Sequence, residues 1–189
     1  MIKLALFASG SGSNVEKIFE YFNNHSQILV DSIFCNNPKA YVIDRAKNLG
    51  IDSIIFDQSK TSDEDLLKML QSRNISSIIL AGYIRLIPEA IINKFEDKIV
   101  NIHPSLLPKF GGKGFYGSTV HDSVIESKEV YSGITIHLVN NEYDKGKILF
   151  QKKIKIHEHE TASTLSKRIH ELEHFYFPQI IEKFLLDKL

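Results

Sequence analysis

The stretch Leu4–Asn14, LALFASGSGSN, decides the fold that the sequence predicts. Its opening run, Leu4–Ala8, is continuously apolar, which is typical of a strand buried on both faces of a sheet. A turn rich in glycine and serine, Ser9–Asn14, follows, and the amphipathic helical pattern Val15–Phe22 comes directly after it. Strand, glycine turn and helix in this order predict the start of a βαβ unit.

The same alternation continues to about residue 103. Apolar runs are separated by amphipathic segments, and right-handed crossovers then place helices on both faces of a parallel sheet. The further runs are Ile28–Phe34, Ser53–Phe56, Ser77–Leu80 and Lys98–Ile102, and the segments between them are Ala40–Leu49, Asp63–Gln71 and Glu89–Phe95.

The pattern changes after residue 103. His103–Gly117 holds four Gly and two Pro in 15 residues, which predicts a long irregular loop. A helix, two strands that can pair antiparallel, and a last helix capped by Thr161 are expected next, with Pro178 kinking or restarting that helix. These elements are Thr119–Glu126, Gly133–Val139, Ile148–Ile156 and Thr161–Phe175. The sequence therefore predicts a single α/β domain over residues 1–189, with one doubly wound, mostly parallel sheet of about seven strands.

Composition excludes several classes of protein. The 189 residues are 43% hydrophobic and 24% charged, an ordinary globular balance, and the 23 basic and 23 acidic residues give zero net charge. A basic excess typical of nucleic-acid or anionic-membrane binders is absent. The single cysteine, Cys35, permits no intramolecular disulfide, which fits a reducing compartment. With no apolar run near the roughly 20 residues of a membrane helix, a cytoplasmic protein is expected.

The glycine turn predicts an anion site. Gly10 and Gly12 allow a tight turn that presents backbone N–H groups, and the following helix adds partial positive charge. The dinucleotide fingerprint is incomplete because Val15 stands at its third glycine position, and no Gly-Lys-Ser/Thr occurs. One phosphate is therefore expected rather than a pyrophosphate; an ordinary βα turn is the alternative.

Asn101 and His103 stand two residues apart at the end of a predicted buried strand, so they share one face. Ligands of open α/β sheets bind at the carboxyl ends of strands. An amide donor beside a group that titrates near neutrality can hold and protonate an oxygen that gains charge in acyl transfer. The alternative is a structural strand end whose polar side chains cap the loop.

Asn101–Pro108, NIHPSLLP, together with the Gly-Ser-Gly-Ser-Asn turn, closely resembles phosphoribosylglycinamide formyltransferases. The resemblance covers nearly the whole chain and implies their Rossmann-like formyltransferase fold. Pro104 and the phosphate turn point to this branch among formyltetrahydrofolate enzymes. Further similar segments are Cys35–Asn37, Leu80–Ile87, Gly133–Val139 and Asp144–Gly146.

The resemblance implies a role for each matching residue. The catalytic set is Asn101, His103 and Asp144, with His137 in support. The residues implied for binding the substrate's phosphate are Gly12, Ser13 and Asn14, and Glu173 is implied for its ribose hydroxyls. The backbone of Ile84, Arg85, Leu86 and Ile87 is implied for the pterin ring of the folate, next to Asn101.

The implied reaction moves the formyl group of 10-formyltetrahydrofolate to the amine of glycinamide ribonucleotide, in purine biosynthesis, by direct attack. His103 as imidazolium and the Asn101 amide would stabilise the oxyanion, and Asp144 would raise the pKa of His103. No metal is implied. The expected partners are small molecules, without nucleic acid or membrane, and the expected state is a monomer or homodimer.

Two segments depart from the family pattern. Family members often carry an Arg that contacts folate where this chain has Gln58–Thr61, and Lys60 is the candidate substitute. The loop Lys109–Gly117 is longer and richer in glycine than usual. We take it as a hypothetical lid over the site, with a lengthened surface loop as the alternative.

Other functions compete with this one. His170–His174, HELEH, fits the His-Glu-x-x-His pattern of zinc metalloproteases, with Glu182 as a third ligand. Methionyl-tRNA formyltransferases share the folate core, but we expect a tRNA-binding C-terminal domain there. Formyltetrahydrofolate hydrolases are expected to carry an N-terminal regulatory domain. A non-catalytic nucleotide-binding module would keep the glycine turn without needing Asn101, His103 and Asp144.

Overall fold

A computed structural model describes residues 1–189 and contains seven strands and six helices. The strands are β1 (Ile2–Ala8), β2 (Ile28–Cys35), β3 (Asp52–Ile55), β4 (Ser77–Leu80), β5 (Ile99–His103), β6 (Tyr131–Leu138) and β7 (Ile148–Lys155). The helices are α1 (Ser13–Phe22), α2 (Val42–Leu49), α3 (Asp63–Ser72), α4 (Glu89–Lys94), α5 (Ser118–Glu126) and α6 (Ala162–Leu185).

The strands form one sheet in the order β3-β2-β1-β4-β5-β6-β7. β1 pairs parallel with β2 and with β4, and β2 pairs parallel with β3. The chain thus winds outward from β1 first in one direction and then in the other, as a doubly wound sheet requires. β6 and β7 pair antiparallel. The predicted fold class is confirmed, including the antiparallel pair after the long loop.

The chain divides into two compact units, Met1–Val100 and Asn101–Leu189. In the first unit, β1 is buried from Leu4 to Ala8, which explains its apolar run. Phe7 is paired in register with Phe34 on β2, and their rings stack at 4.9 Å between centroids. The single domain expected from the sequence stays a prediction.

In the second unit, α6 packs against α5, β6 and β7. It begins after Thr161, whose hydroxyl accepts from the N–H of Thr164 while the Thr164 hydroxyl accepts from the N–H of Thr161, a capping box. The helix does not end near Phe175 as predicted but continues through Pro178 to Leu185. Pro178 is buried, so apolar burial offsets the hydrogen bond that a proline removes from a helix.

β5 extends one residue beyond its predicted end and includes His103. Asn101 and His103 are thus both held by strand backbone, and the pleat turns their side chains to one face. None of the helices combines the length and the apolar composition needed to cross a bilayer.

Candidate active site

His137, near the end of β6, has a fixed protonation pattern. Its Nδ1 lies 2.7 Å from the carbonyl oxygen of Leu138. A carbonyl only accepts, so Nδ1 carries the hydrogen and the neutral ring presents Nε2 as an acceptor. The amide Nδ2 of Asn101 lies 3.1 Å from that nitrogen and donates to it. His137 therefore orients the Asn101 amide, which has a second N–H for another acceptor.

Asp144 lies between the two histidines. Its Oδ1 is 3.5 Å from Nε2 of His137, and its Oδ2 is 3.6 Å from Nδ1 of His103. These are ion-pair distances rather than hydrogen bonds. The Asp144 side chain is only 11% exposed, and Oδ2 also accepts from the backbone N–H of Gly112 at 2.8 Å. The four residues Asn101, His103, His137 and Asp144 thus form one cluster in the second unit.

The glycine-rich loop after Pro108 contacts this cluster through its backbone. The Nε2 of His103 donates to the carbonyl oxygen of Phe110 at 2.7 Å, and Gly112 donates to Asp144. Between them, Gly111 has no room for a side chain, because a Cβ there would lie 2.4 Å from Cδ2 of Leu107. The glycines are the only sign of this arrangement in the sequence, which does not predict the two backbone contacts. A lid motion of the loop stays a prediction.

A hydrogen-bond network holds the segment between His103 and that loop. The Thr135 hydroxyl donates to the carbonyl of Ser105 at 2.7 Å and accepts from the N–H of Leu107 at 3.0 Å. The Gln151 amide donates to the Leu107 carbonyl and to the Thr135 hydroxyl. Strands β6 and β7 thereby fix the path of the chain just after His103. Thr135 lies within the family-like segment Gly133–Val139, but nothing in the sequence indicates that it or Gln151 contacts the chain after His103.

The pKa of His103 corrects one expectation. Burial lowers it, and although Asp144 raises it as expected and the Phe110 carbonyl raises it too, the net shift is downward from 6.5. Burial raises the pKa of Asp144, but His137, His103 and the Gly112 N–H outweigh it, and the net shift is downward. At neutral pH the cluster therefore holds a neutral His103 beside an ionised Asp144. The imidazolium expected from the sequence is not the resting state.

The predicted phosphate turn lies in the first unit. Gly12 is left-handed (φ +75°), and a Cβ on it would lie 2.4 Å from Cγ2 of Val42 on α2, so glycine is needed both for conformation and for space. Ser13 and Asn14 open α1 directly after it. The turn is therefore built as the sequence predicts, at the carboxyl end of β1.

Ser9 connects this turn with the neighbouring strand ends. Its hydroxyl donates to Oδ1 of Asn36, which follows β2, at 2.7 Å. The same hydroxyl accepts from the N–H of Ile84, which follows β4, at 3.3 Å. That N–H is consequently engaged within the protein. Ile84, Arg85 and Leu86 are exposed and Ile87 is buried, so the segment presents two apolar side chains at the surface.

Glu173 is buried on α6, and its Oε2 lies 3.9 Å from Nε2 of His170. The rings of His170 and His174 stack at 6.1 Å, as their one-turn spacing requires. Nowhere in residues 1–189 do three or more His, Cys, Asp or Glu side chains form a group that could hold a metal ion. The metalloprotease alternative therefore has no coordination sphere.

His121, on α5, is a buried titratable group that the sequence analysis did not single out. Only 3% of it is exposed, and its Nδ1 has no hydrogen-bond partner. Burial lowers its pKa to about 4; His170 and His103 act in the same direction, and Asp122 opposes them. His121 is therefore neutral near pH 7.

Comparison with known proteins shows the family and the fold to which the chain is similar. Residues 2–181 match the profile of the formyl transferase family. The chain is 39% identical over 186 residues to the chloroplastic phosphoribosylglycinamide formyltransferase of Arabidopsis thaliana, covering 95% of this chain and 64% of that protein. It is 38% identical over 195 residues to the phosphoribosylglycinamide formyltransferase of Bacillus subtilis, covering 98% of this chain and 95% of that one. The crystal structure of the Streptococcus pneumoniae phosphoribosylglycinamide formyltransferase superposes with a TM-score of 0.88 at 31% identity, covering 98% and 99% of the two chains.

The chain belongs to the formyl transferase family. Within that family, the relatives that match nearly the whole of this chain include the phosphoribosylglycinamide formyltransferases of Bacillus subtilis and Streptococcus pneumoniae. The chain spans less than two thirds of the Arabidopsis relative, but nearly all of the Bacillus one.

His121 leads to a prediction about stability and pH. Its folded pKa of about 4 lies below the unfolded value near 6.5, so its contribution is complete above pH 6.5 and is lost as the pH falls towards 4. This loss amounts to about 3 kcal/mol of unfolding free energy. In urea unfolding from pH 7 to pH 4, His121→Gln should flatten the pH dependence, whatever its effect at pH 7.

The exposed His159 provides the control, since His159→Gln should keep the wild-type slope. If His121→Gln also keeps that slope, His121 is not the group responsible.

Proposed function

We propose that this chain transfers the formyl group of 10-formyltetrahydrofolate to the amine of glycinamide ribonucleotide, a step of purine biosynthesis. The observation that carries the proposal is the cluster of Asn101, His103, His137 and Asp144, in which the two histidines are buried and the other two residues are half-buried against them. The names of the Bacillus and Streptococcus relatives support the choice of substrates.

Each substrate has proposed binding residues. Gly12, Ser13 and Asn14 would receive the phosphate on N–H groups, which a left-handed Gly12 ahead of a helix favours. Glu173 would accept from the ribose hydroxyls, a role that suits a buried carboxylate.

For the folate, the exposed apolar side chains of Ile84 and Leu86 fit a flat ring, although the N–H of Ile84 is already bound to Ser9.

The other contacts to the folate are proposed for Arg85, Ile87 and Asn101. Lys60, exposed and 3.4 Å from Asp57, would supply the cation that an Arg provides in other members of the family.

The mechanism we propose depends on moving a proton from the substrate amine to the leaving nitrogen of the folate. The substrate amine attacks the formyl carbon, and it must lose a proton before or as the bond from that carbon to the folate nitrogen breaks. His103 keeps its Nε2 hydrogen on the Phe110 carbonyl, so in the neutral ring Nδ1 is bare and faces the ionised Oδ2 of Asp144. These two atoms lie 3.6 Å apart, too far to share one hydrogen bond, so they are two separate acceptors for a proton. They would take it from the amine, directly or through water, and return it to the leaving nitrogen.

The oxyanion that develops on the formyl oxygen needs a donor. The second N–H of the Asn101 amide is proposed for this role, because His137 binds the first and so fixes the plane of the amide. Once His103 has taken the proton, its positive charge adds to the stabilisation. No covalent enzyme intermediate and no metal enter this scheme. Holding both substrates in place would supply much of the rate.

The setting of the enzyme is also a proposal. We expect a monomer or homodimer that acts on small molecules in the cytoplasm. The free Cys35 is buried, and burial raises the pKa of its thiol, so it takes no part in the chemistry.

The first experiment is an absorbance assay of folate with purified enzyme and 10-formyltetrahydrofolate. Formation of tetrahydrofolate only when glycinamide ribonucleotide is added is expected of the transferase. Formation without the ribonucleotide would indicate a hydrolase instead. No reaction in either case would contradict the proposed function and favour a binding module.

The protonation state of His103 predicts on which side of the pH profile activity is lost. Because neutral His103 is the active form, kcat/KM should be on its plateau at pH 7 and fall on the acid side, below pH 6.5. Asp144→Asn removes an interaction that raises the pKa of His103, so the acid limb should move to lower pH. The plateau should fall about 10²-fold or more because one of the two proton acceptors is lost.

Glu142→Gln is the matched control, since Glu142 is an exposed carboxylate two residues away, and its profile should not change. A loss of activity on the alkaline side, with an apparent pKa above 6.5, would mean that imidazolium is the active form and would refute the scheme.

The loop backbone can be tested through Gly111. Gly111→Ala would push a methyl group against the buried Leu107 and towards Asp144, displacing the Phe110 and Gly112 contacts. We expect kcat to fall about tenfold to a hundredfold, because small displacements of catalytic groups are costly. Lys113→Ala, an exposed change in the same loop, should retain wild-type kcat. Equal kcat in both variants would rule out a positioning role for the loop.

A further inference from the structure

The carbonyl groups of the glycine turn are bound by α2. The N–H of Val42 donates to the carbonyl of Gly10 at 3.1 Å. The Nε of Arg45, one turn further along, donates to the carbonyl of Ser11 at 2.9 Å. Two consecutive carbonyl groups of the turn are therefore drawn towards the same helix.

Because the peptide bond is planar, the direction of each of these carbonyl groups fixes the direction of the N–H that follows it. Both peptide bonds are trans, so each N–H points opposite to the carbonyl of the preceding residue. Drawing the carbonyls of Gly10 and Ser11 towards α2 thus turns the N–H groups of Ser11 and Gly12 away from it. α1 begins directly afterwards at Ser13, and its N-cap residue, Gly12, provides no side-chain cap. Successive N–H groups presented in this way form an anion nest that continues into a helix N-terminus.

Arg45 is itself held firmly. Its Nη1 binds the carboxylate of Glu16 in the first turn of α1, and its guanidinium lies over the ring of Tyr41 at 5.0 Å from the centroid. The planar fork can meet the Ser11 carbonyl and the Glu16 carboxylate together, which an ammonium group does less well. The guanidinium also offsets the charge of Glu16, which would otherwise repel an anion at the turn.

We propose that Arg45 is a positioning residue for the substrate's phosphate: it fixes the Ser11–Gly12 peptide so that the Gly12 N–H is presented to the anion. The inference rests on the proposed phosphate site at Gly12–Asn14 and extends it. Arg45 acts through Ser11 and not by touching the reacting atoms. Charge alone is a different explanation, in which Arg45 only neutralises Glu16, and the test separates the two.

The binding test uses inorganic phosphate and amide NMR of the ¹⁵N-labelled protein. Wild type should show saturable shifts of the Ser11, Gly12 and Ser13 amides. Arg45→Ala should weaken this binding about tenfold, the size expected from losing a charge-assisted hydrogen bond that orders the turn. Lys47→Ala removes the same charge from the exposed face of α2 without contacting the turn, and it should bind as wild type does.

The double variant Arg45→Ala/Glu16→Gln distinguishes geometry from charge. This variant no longer has an uncompensated charge on Glu16, but it has no donor for the Ser11 carbonyl, so binding should stay weak. Recovery of wild-type affinity in the double variant would overturn the positioning role. If thermal unfolding shows that Arg45→Ala is not folded, Arg45→Met replaces it in both variants, because it keeps an unbranched apolar stem and has no donor for the Ser11 carbonyl.

Steady-state kinetics supply a readout that general destabilisation would not give. In Arg45→Ala the KM for glycinamide ribonucleotide should rise about tenfold, while kcat and the KM for the formyl donor stay unchanged. Phosphate binding that is equally strong in wild type and Arg45→Ala would refute the inference while leaving the phosphate site intact. Absence of phosphate binding in wild type would refute both, whereas an inactive enzyme that still binds phosphate through Arg45 would contradict only the proposed function.

Discussion

A carboxylate taken out of water must be surrounded by donors or positive charge, and Asp144 imposes that requirement on the second unit. An uncompensated buried carboxylate costs several kcal/mol, so its surroundings are not free to vary. Gly112 donates to Oδ2, and one histidine ring lies against each oxygen, where it supplies positive charge only when it is protonated. The path of the glycine-rich loop, the end of β5 and the end of β6 are all arranged around this single anion.

The two histidines beside this anion have different roles. His137 has its Nδ1 hydrogen committed to the Leu138 carbonyl, so its Nε2 can only accept while the ring is neutral, and it serves to orient Asn101. His103 has its Nε2 hydrogen committed to Phe110, which leaves Nδ1 towards Asp144. One ring is therefore fixed as an acceptor for an amide, whereas the other can take up a proton where a carboxylate helps to hold it. Two chemically identical side chains differ here because a backbone carbonyl binds Nδ1 of one ring and Nε2 of the other.

The parts of this arrangement that depend on residue type were predictable from the sequence. Continuous apolar runs predicted β1 and β4, glycines the turn at Gly12, and the Asn-x-His spacing the shared face on β5. Contacts made by backbone groups were not predictable, because the Phe110 carbonyl and the Gly112 N–H carry no residue identity. The sign of the pKa shift of His103 was wrong because a nearby carboxylate can be inferred from a motif, whereas the depth of burial that outweighs it cannot. The same holds for α6, where the burial of Pro178 carries the helix past the expected stop.

Backbone N–H and carbonyl groups form part of the proposed sites in both units, so residues that position the backbone become as important as residues that would contact a substrate. A peptide N–H cannot be replaced by substitution, so its direction is decided by whatever holds the neighbouring carbonyl or leaves room for the turn. At the phosphate turn those determinants are the N–H of Val42 and the side chain of Arg45, which bind the carbonyls of Gly10 and Ser11. Near Asp144 the determinant is the space left by Gly111 between Leu107 and the carboxylate. Residues that never meet a substrate therefore control how the protein's donors are presented, and a motif confined to contact residues overlooks them.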